Sequence, residues 1–200
     1  IPHNKGKIGI YKHSKETFNN PAVIKPINII LVRHGESLAN AQDISQGNND
    51  EYSDTPLSKK GKEQAIKVAE RLKKEPLDLI YSSDLKRAKE TAEIINTFHH
   101  VPITSDKRLR DMLNDEPLED FIKKCEHSLK DIEKEKKNTL VVAHGSSILT
   151  LLAITTGSRE EGGKLVKEHS NTYGNTHVSV VEKKGNAYEI KLIGCGRHLS

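Results

Sequence analysis

Aromatic side chains are scarce in this chain, whose 200 residues include no tryptophan, three phenylalanines and five tyrosines. Few flat side chains are therefore available on which nucleic-acid bases could stack. The formal net charge is +4, from 32 basic and 28 acidic residues spread along the chain. This excess is too small and too dispersed to indicate a nucleic-acid partner, and we expect none. A mild positive charge suits a small anionic substrate.

The chain also has few cysteines and no long apolar run. Cys125 and Cys195 do not make a disulfide scaffold in a chain of this length, and we expect both to be reduced. No apolar stretch approaches the roughly 20 residues that span a bilayer, so we expect no membrane partner. No signal-peptide core is visible, and the expected location is cytoplasmic; removal of a signal peptide before Ile1 is left open.

A single domain with an N-terminal arm is expected. The hydrophobic fraction of 34% and the charged fraction of 30% are typical of a soluble globular protein, and a chain of this size can bury a stable core. Residues 1–26 are polar and contain Asn20-Pro21 and Lys25-Pro26, which favour extended or loop structure. We interpret residues 1–26 as the arm and residues 27–200 as the domain.

Strand-like and helix-like patterns alternate along the domain. Predicted strands cover residues 29–32, 77–82, 102–103, 139–143, 177–182 and 188–192. The last two flank Lys184-Gly185-Asn186, a hairpin signature. Predicted helices begin near Ser58, Asp84, Phe121 and Ile148. This alternation favours an α/β fold with a mostly parallel sheet.

Two of the predicted strands end in a histidine. Residues 29–32 run into Arg33-His34-Gly35, and residues 139–143 run into His144-Gly145. Ligands of open α/β sheets bind beyond the carboxyl ends of the strands. The sequence therefore predicts one anion-binding site that contains both imidazoles.

Four short motifs follow one another in a distinctive order. They are Leu31-Val32-Arg33-His34-Gly35-Glu36-Ser37 with Asn40, Thr55-Pro56-Leu57-Ser58 with Gly61 and Gln64, Ser83-Asp84-Leu85-Lys86-Arg87-Ala88 with Thr91, and Val141-Val142-Ala143-His144-Gly145. In combination they resemble the histidine phosphatase superfamily, which includes cofactor-dependent phosphoglycerate mutases and their phosphatase relatives. The Arg197-His198-Leu199 ending is also similar to the family's C-terminus. The resemblance covers roughly residues 27–199 and implies a three-layer α/β/α sandwich with a mostly parallel central sheet.

The resemblance implies a role for four residues. His34 is expected to be the nucleophile that carries the phosphoryl group. Arg33 and Arg87 are expected to hold phosphate oxygens with their planar guanidinium groups. His144 is expected to donate to a phosphate oxygen. The scheme requires no metal ion and no cofactor.

Further residues are expected to contact the substrate. They are Ser37, Asn40, Gln46, Gly47 and Gly145. For Asn40 a role as a helix-capping residue is equally open.

The general acid is less clear, because the family uses a glutamate in a Leu-Arg-Glu segment with a glycine-containing continuation. Asp111 stands at the matching position here, one methylene shorter, and the continuation is absent. Asp111 is our choice. Asp115, Glu116 and Glu119 are the alternatives.

The resemblance implies a metal-independent phosphomonoester hydrolase acting on a small phosphorylated substrate or on a phosphoprotein. Little chain lies between Asp111 and Phe121, which favours a phosphatase, because a mutase must shield its phosphohistidine from water. A protein phosphohistidine phosphatase, a phosphoglycerate mutase and a phosphate-binding module without turnover are the alternatives. A homodimer formed through an exposed edge strand is left open.

Overall fold

The computed structural model of the chain describes residues 25–44 and 54–200. At its centre is a six-stranded sheet with the order β3-β2-β4-β1-β5-β6. The strands are β1 (Ile27–Arg33), β2 (Leu79–Ser82), β3 (Ile103–Ser105), β4 (Thr139–Ala143), β5 (Val178–Lys184) and β6 (Ala187–Cys195). The first four are parallel to one another, whereas β5 and β6 form an antiparallel hairpin beside β1. The predicted mostly parallel sheet is confirmed.

Six α-helices lie within the described residues. They are α1 (Leu38–Ala41), α2 (Lys59–Leu72), α3 (Lys86–Asn96), α4 (Leu118–Lys134), α5 (Gly145–Thr155) and α6 (Arg159–His169). Two short 3-10 helices cover Lys107–Leu109 and Arg197–Leu199. The helix predicted from Asp84 begins two residues later, and the helix predicted from Phe121 begins three residues earlier. α1 and α6 are absent from the predicted elements.

The side chains of β1 alternate between two cores, one on each face of the sheet. Ile29 and Leu31 pack with side chains of α4 and α5, whereas Ile30 and Val32 pack with side chains of α2 and α3. All four are at most 3% exposed. Helices therefore cover both faces of the sheet, which gives the three-layer α/β/α arrangement.

Some of the residues named in the sequence predictions are not among the residues that the structure describes. Residues 1–24 of the predicted arm lie outside the described residues, as do Gln46 and Gly47. In the described part of the chain, no helix combines the length and the apolar character needed to cross a membrane.

Candidate active site

His34 and His144 directly follow the adjacent parallel strands β1 and β4. Arg33 and Ala143 are paired in register, and the His34 N–H donates to Ala143 O at 3.0 Å. The imidazole centres are 4.9 Å apart with the rings edge to face. Their exposed fractions are 3% and 0%. The structure thus brings together the two histidines that the sequence assigned to one site.

The hydrogen bonds of His34 define its tautomer. Its Nδ1 lies 2.7 Å from Gly35 O, and because a carbonyl oxygen only accepts, Nδ1 carries the proton. Nε2 then has a free electron pair, which accepts from Arg87 Nε at 3.2 Å. Burial, together with the charges of Arg87 and Arg33, holds the pKa of His34 well below its ordinary value of 6.5. His34 is therefore a neutral imidazole at physiological pH.

Arg87 contacts both imidazoles from the first turn of α3. Besides its bond to His34, it places Nη2 3.2 Å from His144 Nδ1. The residue is only 2% exposed, and burial lowers its pKa to about 10, so the guanidinium remains charged at neutral pH. One buried cation therefore contacts a ring nitrogen of each histidine.

Ser83, at the end of β2, orients the ring of His144. A guanidinium only donates, so His144 Nδ1 accepts from Arg87 and the ring proton is on Nε2. Nε2 lies 2.9 Å from Ser83 Oγ and donates to it. Burial and the neighbouring His34, Arg87 and Arg33 hold the pKa of His144 well below 6.5. The sequence motif contained Ser83, but no role was predicted for it.

Arg33 has an unpaired donor inside the site. Its Nη1 donates to Tyr173 O at 2.5 Å, which fixes the end of the side chain. Its Nε is buried and has no hydrogen-bond partner among the described residues. A side chain added at Gly145 would meet Arg33 Nε at 3.9 Å, so this donor lies beside the first turn of α5. A buried N–H next to a helix N-terminus suits an anion.

Two helices fix the backbone that follows His34. Gly35 N donates to Thr91 Oγ1 of α3 at 3.0 Å, and Glu36 N donates to Gln64 Oε1 of α2 at 2.8 Å. α2 can approach this closely because Gly61 has no side chain: a Cβ there would lie 1.9 Å from Glu36 O. The motif residues on both helices therefore act on the main chain of the site.

Ser37 and Asn40 bond to each other at the start of α1. Asn40 N donates to Ser37 Oγ, and Ser37 N donates to Asn40 Oδ1, both at 3.1 Å. This reciprocal pair is a capping box, which corresponds to the capping interpretation left open for Asn40. Substrate contact by the two residues stays a prediction.

Asp111 lies at the N-terminus of α5. Its Oδ1 accepts from Ser146 N at 3.1 Å and from Ser146 Oγ, and Met112 N donates to Ser146 Oγ at 3.1 Å. Its charge also acts on Arg33 and Arg87, whose pKa values it raises against the larger effect of burial. Asp111 therefore lies at the edge of the basic site. Within the described chain, its Oδ2 has no hydrogen-bond partner.

The three alternative carboxylates are placed differently. Glu116 Oε2 accepts from Lys124 Nζ at 2.8 Å and from Leu113 N at 3.3 Å, so it closes the loop before α4. Asp115 is exposed, and Glu119 is exposed in the first turn of α4. The charge of Asp111, by comparison, acts on Arg33 and Arg87.

Sequence reasoning missed the loop 173–177, which precedes β5. Arg33 N donates to His177 O at 3.3 Å, and Thr176 N donates to Arg33 O at 3.0 Å. Asn175 Nδ2 donates to His34 O at 3.0 Å. The Gly174-Asn175 pair indicates a turn, but no sequence signal indicates which strand the turn contacts.

Comparisons with known proteins indicate the family of the chain. The model of the histidine phosphatase superfamily (branch 1) matches residues 29–115. PhoE of Bacillus subtilis (strain 168), described as an uncharacterized phosphatase, is 32% identical over 196 residues, which cover 86% of this chain and 96% of PhoE. GpmB of Salmonella choleraesuis (strain SC-B67), a probable phosphoglycerate mutase, is 45% identical over 86 residues, which cover 43% of this chain and 38% of GpmB.

A solved structure shows the same fold. YhfR of Bacillus stearothermophilus matches with a TM-score of 0.72 at 25% sequence identity, over 87% of this chain and all of YhfR (100%). The fold and the relatives together define the class of protein. This chain belongs to the histidine phosphatase superfamily.

Proposed function

We propose that this protein is a phosphatase that hydrolyses a small phosphate monoester through a phosphohistidine intermediate on His34. One observation carries the proposal: the imidazole of His34 is buried and neutral, with its Nε2 electron pair turned toward the guanidinium of Arg87. An imidazole in this state can attack a phosphoryl group that the neighbouring arginines hold in place.

The reaction has two steps. First, His34 Nε2 bonds to phosphorus and the ester P–O bond breaks. Asp111, which must carry a proton in the substrate complex, gives that proton to the leaving oxygen. Water then bonds to phosphorus, the P–N bond breaks, and the Asp111 carboxylate accepts the proton that the water loses. Both residues return to their starting states. Arg33 and Arg87 neutralise the phosphoryl oxygens in both steps.

His144 must gain a proton before it can donate to the phosphoryl group. Its Nδ1 accepts from Arg87 in the structure. A phosphate dianion beside the ring favours the charged form of the imidazole. When the substrate binds, His144 therefore takes a proton from solvent at Nδ1 and becomes a donor there. Because His144 and the two arginines provide the positive charge, the proposed reaction needs no metal ion.

Hydrolysis is favoured over transfer to a second substrate. The segment between the 3-10 helix Lys107–Leu109 and α4 is short and is closed by the Glu116–Lys124 ion pair at 2.8 Å. A mutase needs loops that exclude water from its phosphohistidine. The short segment around Asp111 offers few residues that could exclude water from the site.

The test is hydrolysis of p-nitrophenyl phosphate in EDTA, at acidic and neutral pH, by the wild type, His34→Ala and His127→Gln. His127 lies on α4, outside the site, and its variant should keep full activity. His34→Ala should be inactive and should form no acid-labile phosphoenzyme. Undiminished turnover by His34→Ala would refute the proposal. A wild type that binds phosphate but turns over neither this ester nor phosphohistidine would instead be a binding module.

A further inference from the structure

The loop 173–177 forms hydrogen bonds with the main-chain carbonyl groups of Arg33 and His34. Thr176 N donates to Arg33 O at 3.0 Å and lies 3.3 Å from His34 O. Asn175 Nδ2 donates to His34 O at 3.0 Å. These bonds fix the carbonyl groups at the exact point where the chain leaves β1 and presents the nucleophile. The position of the His34 ring therefore depends on this loop.

Thr176 has an unfavourable backbone conformation. Its φ is +55°, in the left-handed region, where a β-branched residue is a genuine outlier. The residue is fully buried, at 0% exposure. Such a conformation persists only where the surrounding structure holds it. Contacts with neighbouring residues must therefore stabilise the left-handed backbone conformation of Thr176.

The side chain of His198 forms a hydrogen bond with the hydroxyl group of Thr176. Its Nε2 lies 3.2 Å from Thr176 Oγ1, and its Nδ1 lies 3.0 Å from Arg71 Nη1. Because the guanidinium only donates, Nδ1 accepts and the ring proton is on Nε2, which donates to Thr176 Oγ1. Burial and the charge of Arg71 lower the pKa of His198 to about 4, so this neutral tautomer persists at physiological pH.

The turn that carries His198 is anchored to α2. Arg71 Nη1 also donates to Cys195 O at 2.8 Å, and Lys67 Nζ donates to Leu199 O at 3.0 Å. Both donors are on α2, whose first turn packs against Glu36. A continuous chain of contacts thus runs from α2 through His198 and Thr176 to the backbone of the nucleophile.

We propose that His198 is a positioning residue, which holds Thr176 in its left-handed conformation and thereby fixes the main chain of Arg33 and His34. This assigns a role to the Arg197–Leu199 turn, which the proposed reaction does not use. The inference rests on the proposed function, since it concerns the placement of the His34 nucleophile. His198 acts through Thr176 and makes no contact with the catalytic side chains.

The test compares His198→Ala, His198→Gln and Ile132→Val at a temperature where all three are folded. Gln offers a donor and an acceptor to the same two partners, whereas Ala offers neither. Ile132→Val truncates a buried side chain of α4 that takes no part in the hydrogen bonds of His198 and Thr176. We expect His198→Ala to lower the rate of phosphoenzyme formation roughly tenfold, because small displacements of a nucleophile are costly. Phosphate affinity should change little, and His198→Gln should restore most of the rate.

Two results would overturn the inference. One is a rate for His198→Ala equal to that of Ile132→Val, and the other is a loss that His198→Gln does not restore. Hydrogen exchange of the Thr176 amide gives a readout without turnover: it should accelerate in His198→Ala and not in His198→Gln. If the wild type forms no phosphoenzyme, the proposed function fails, and unchanged exchange in His198→Ala would then refute the positioning role separately.

Discussion

Arg87 Nε lies 3.2 Å from His34 Nε2, the atom that attacks phosphorus in the proposed reaction. The electron pair needed for attack is therefore engaged by the same side chain that is expected to hold the phosphate. Phosphoryl oxygens compete for this guanidinium, because a charged acceptor binds it more strongly than a neutral imidazole. In the proposed reaction, substrate binding therefore frees the electron pair of His34 Nε2 while Arg87 neutralises the phosphoryl group.

Arg87→Lys tests this double role. A lysine keeps the charge but has a compact ammonium, which cannot contact two imidazoles and two phosphate oxygens as a planar fork does. We expect kcat for p-nitrophenyl phosphate to fall by about 10²–10³, as for the loss of a preorganised donor. Lys89→Gln, an exposed change on the same helix, is the matched control. An active Arg87→Lys would show that charge alone is sufficient.

Asp111→Asn tests the proposed general acid. Asn can still accept from Ser146 at the start of α5 but has no proton to give to an alkoxide. We expect kcat/KM, which reports the steps through phosphoryl transfer, to fall by about 10²–10⁴ for an alkyl phosphate. It should change little for p-nitrophenyl phosphate and for phosphohistidine, whose leaving groups need less protonation.

Glu119→Gln is the matched control for Asp111→Asn, since Glu119 was an alternative acid. An equal loss on all substrates for Asp111→Asn would mean that Asp111 only supports the helix end. A fall in kcat/KM of Glu119→Gln for the alkyl phosphate alone would identify Glu119, on α4, as the general acid. Efficient turnover of phosphohistidine alone by the wild type would favour the protein phosphohistidine phosphatase.

The centre of the site could be predicted because it follows from strand order. His34 and His144 each come directly after a buried apolar run, and parallel strands bring their carboxyl ends to one edge of a sheet. Arg87 is in the first turn of the helix that follows strand β2. Local patterns and a simple rule of topology bring the two histidines together, whereas the assignment of Arg87 to the site needed the family resemblance.

The supporting residues could not be predicted in the same way. Thr176 has a left-handed backbone that its residue type disfavours, and its partner His198 is 22 residues further along the chain. Helix α6 was not predicted, because Gly162 and Gly163 interrupt the helical pattern of its sequence. Gly162 is required there by packing: a Cβ would lie 2.9 Å from Ala153 O of α5. The backbone conformation of Thr176 and the presence of helix α6 both depend on tertiary contacts. Local sequence propensity does not include these contacts.

The two site histidines should make stability depend on pH. Burial is the main cause that lowers the pKa of His34 and His144 below 6.5 in the folded state. Below this value the unfolded chain binds protons that the folded protein does not, so the free energy of unfolding falls as pH falls. Above it both states are neutral at these residues and the effect vanishes.

His144→Gln should reduce that pH dependence. Each such histidine contributes a slope of up to about 1.4 kcal/mol per pH unit below its unfolded pKa. Urea unfolding between about pH 5 and pH 7 should therefore show a shallower slope for His144→Gln than for the wild type. Equal slopes would mean that His144 binds a proton in the folded protein as readily as in the unfolded chain.

A pair of glycine substitutions separates close packing from helix propensity. Gly61→Ala places a methyl group 1.9 Å from Glu36 O, whereas Gly163→Ala meets nothing within 4 Å. Both positions are helical, so both gain the propensity of alanine, worth about 0.5–1 kcal/mol. At Gly61 the clash outweighs this gain, since overpacking costs about 1–3 kcal/mol or more and the contacted atom is backbone.

We therefore expect urea unfolding to show a less stable Gly61→Ala and a more stable Gly163→Ala. Gly61→Ala should also lose activity, because the clash pushes α2 away from Glu36. Gln64 is on the same helix, and its hydrogen bond from Glu36 N at 2.8 Å would then be lost. Gly163→Ala should retain full activity. If both variants were equally stable and active, the contact between α2 and the backbone after His34 would not determine the geometry of the site.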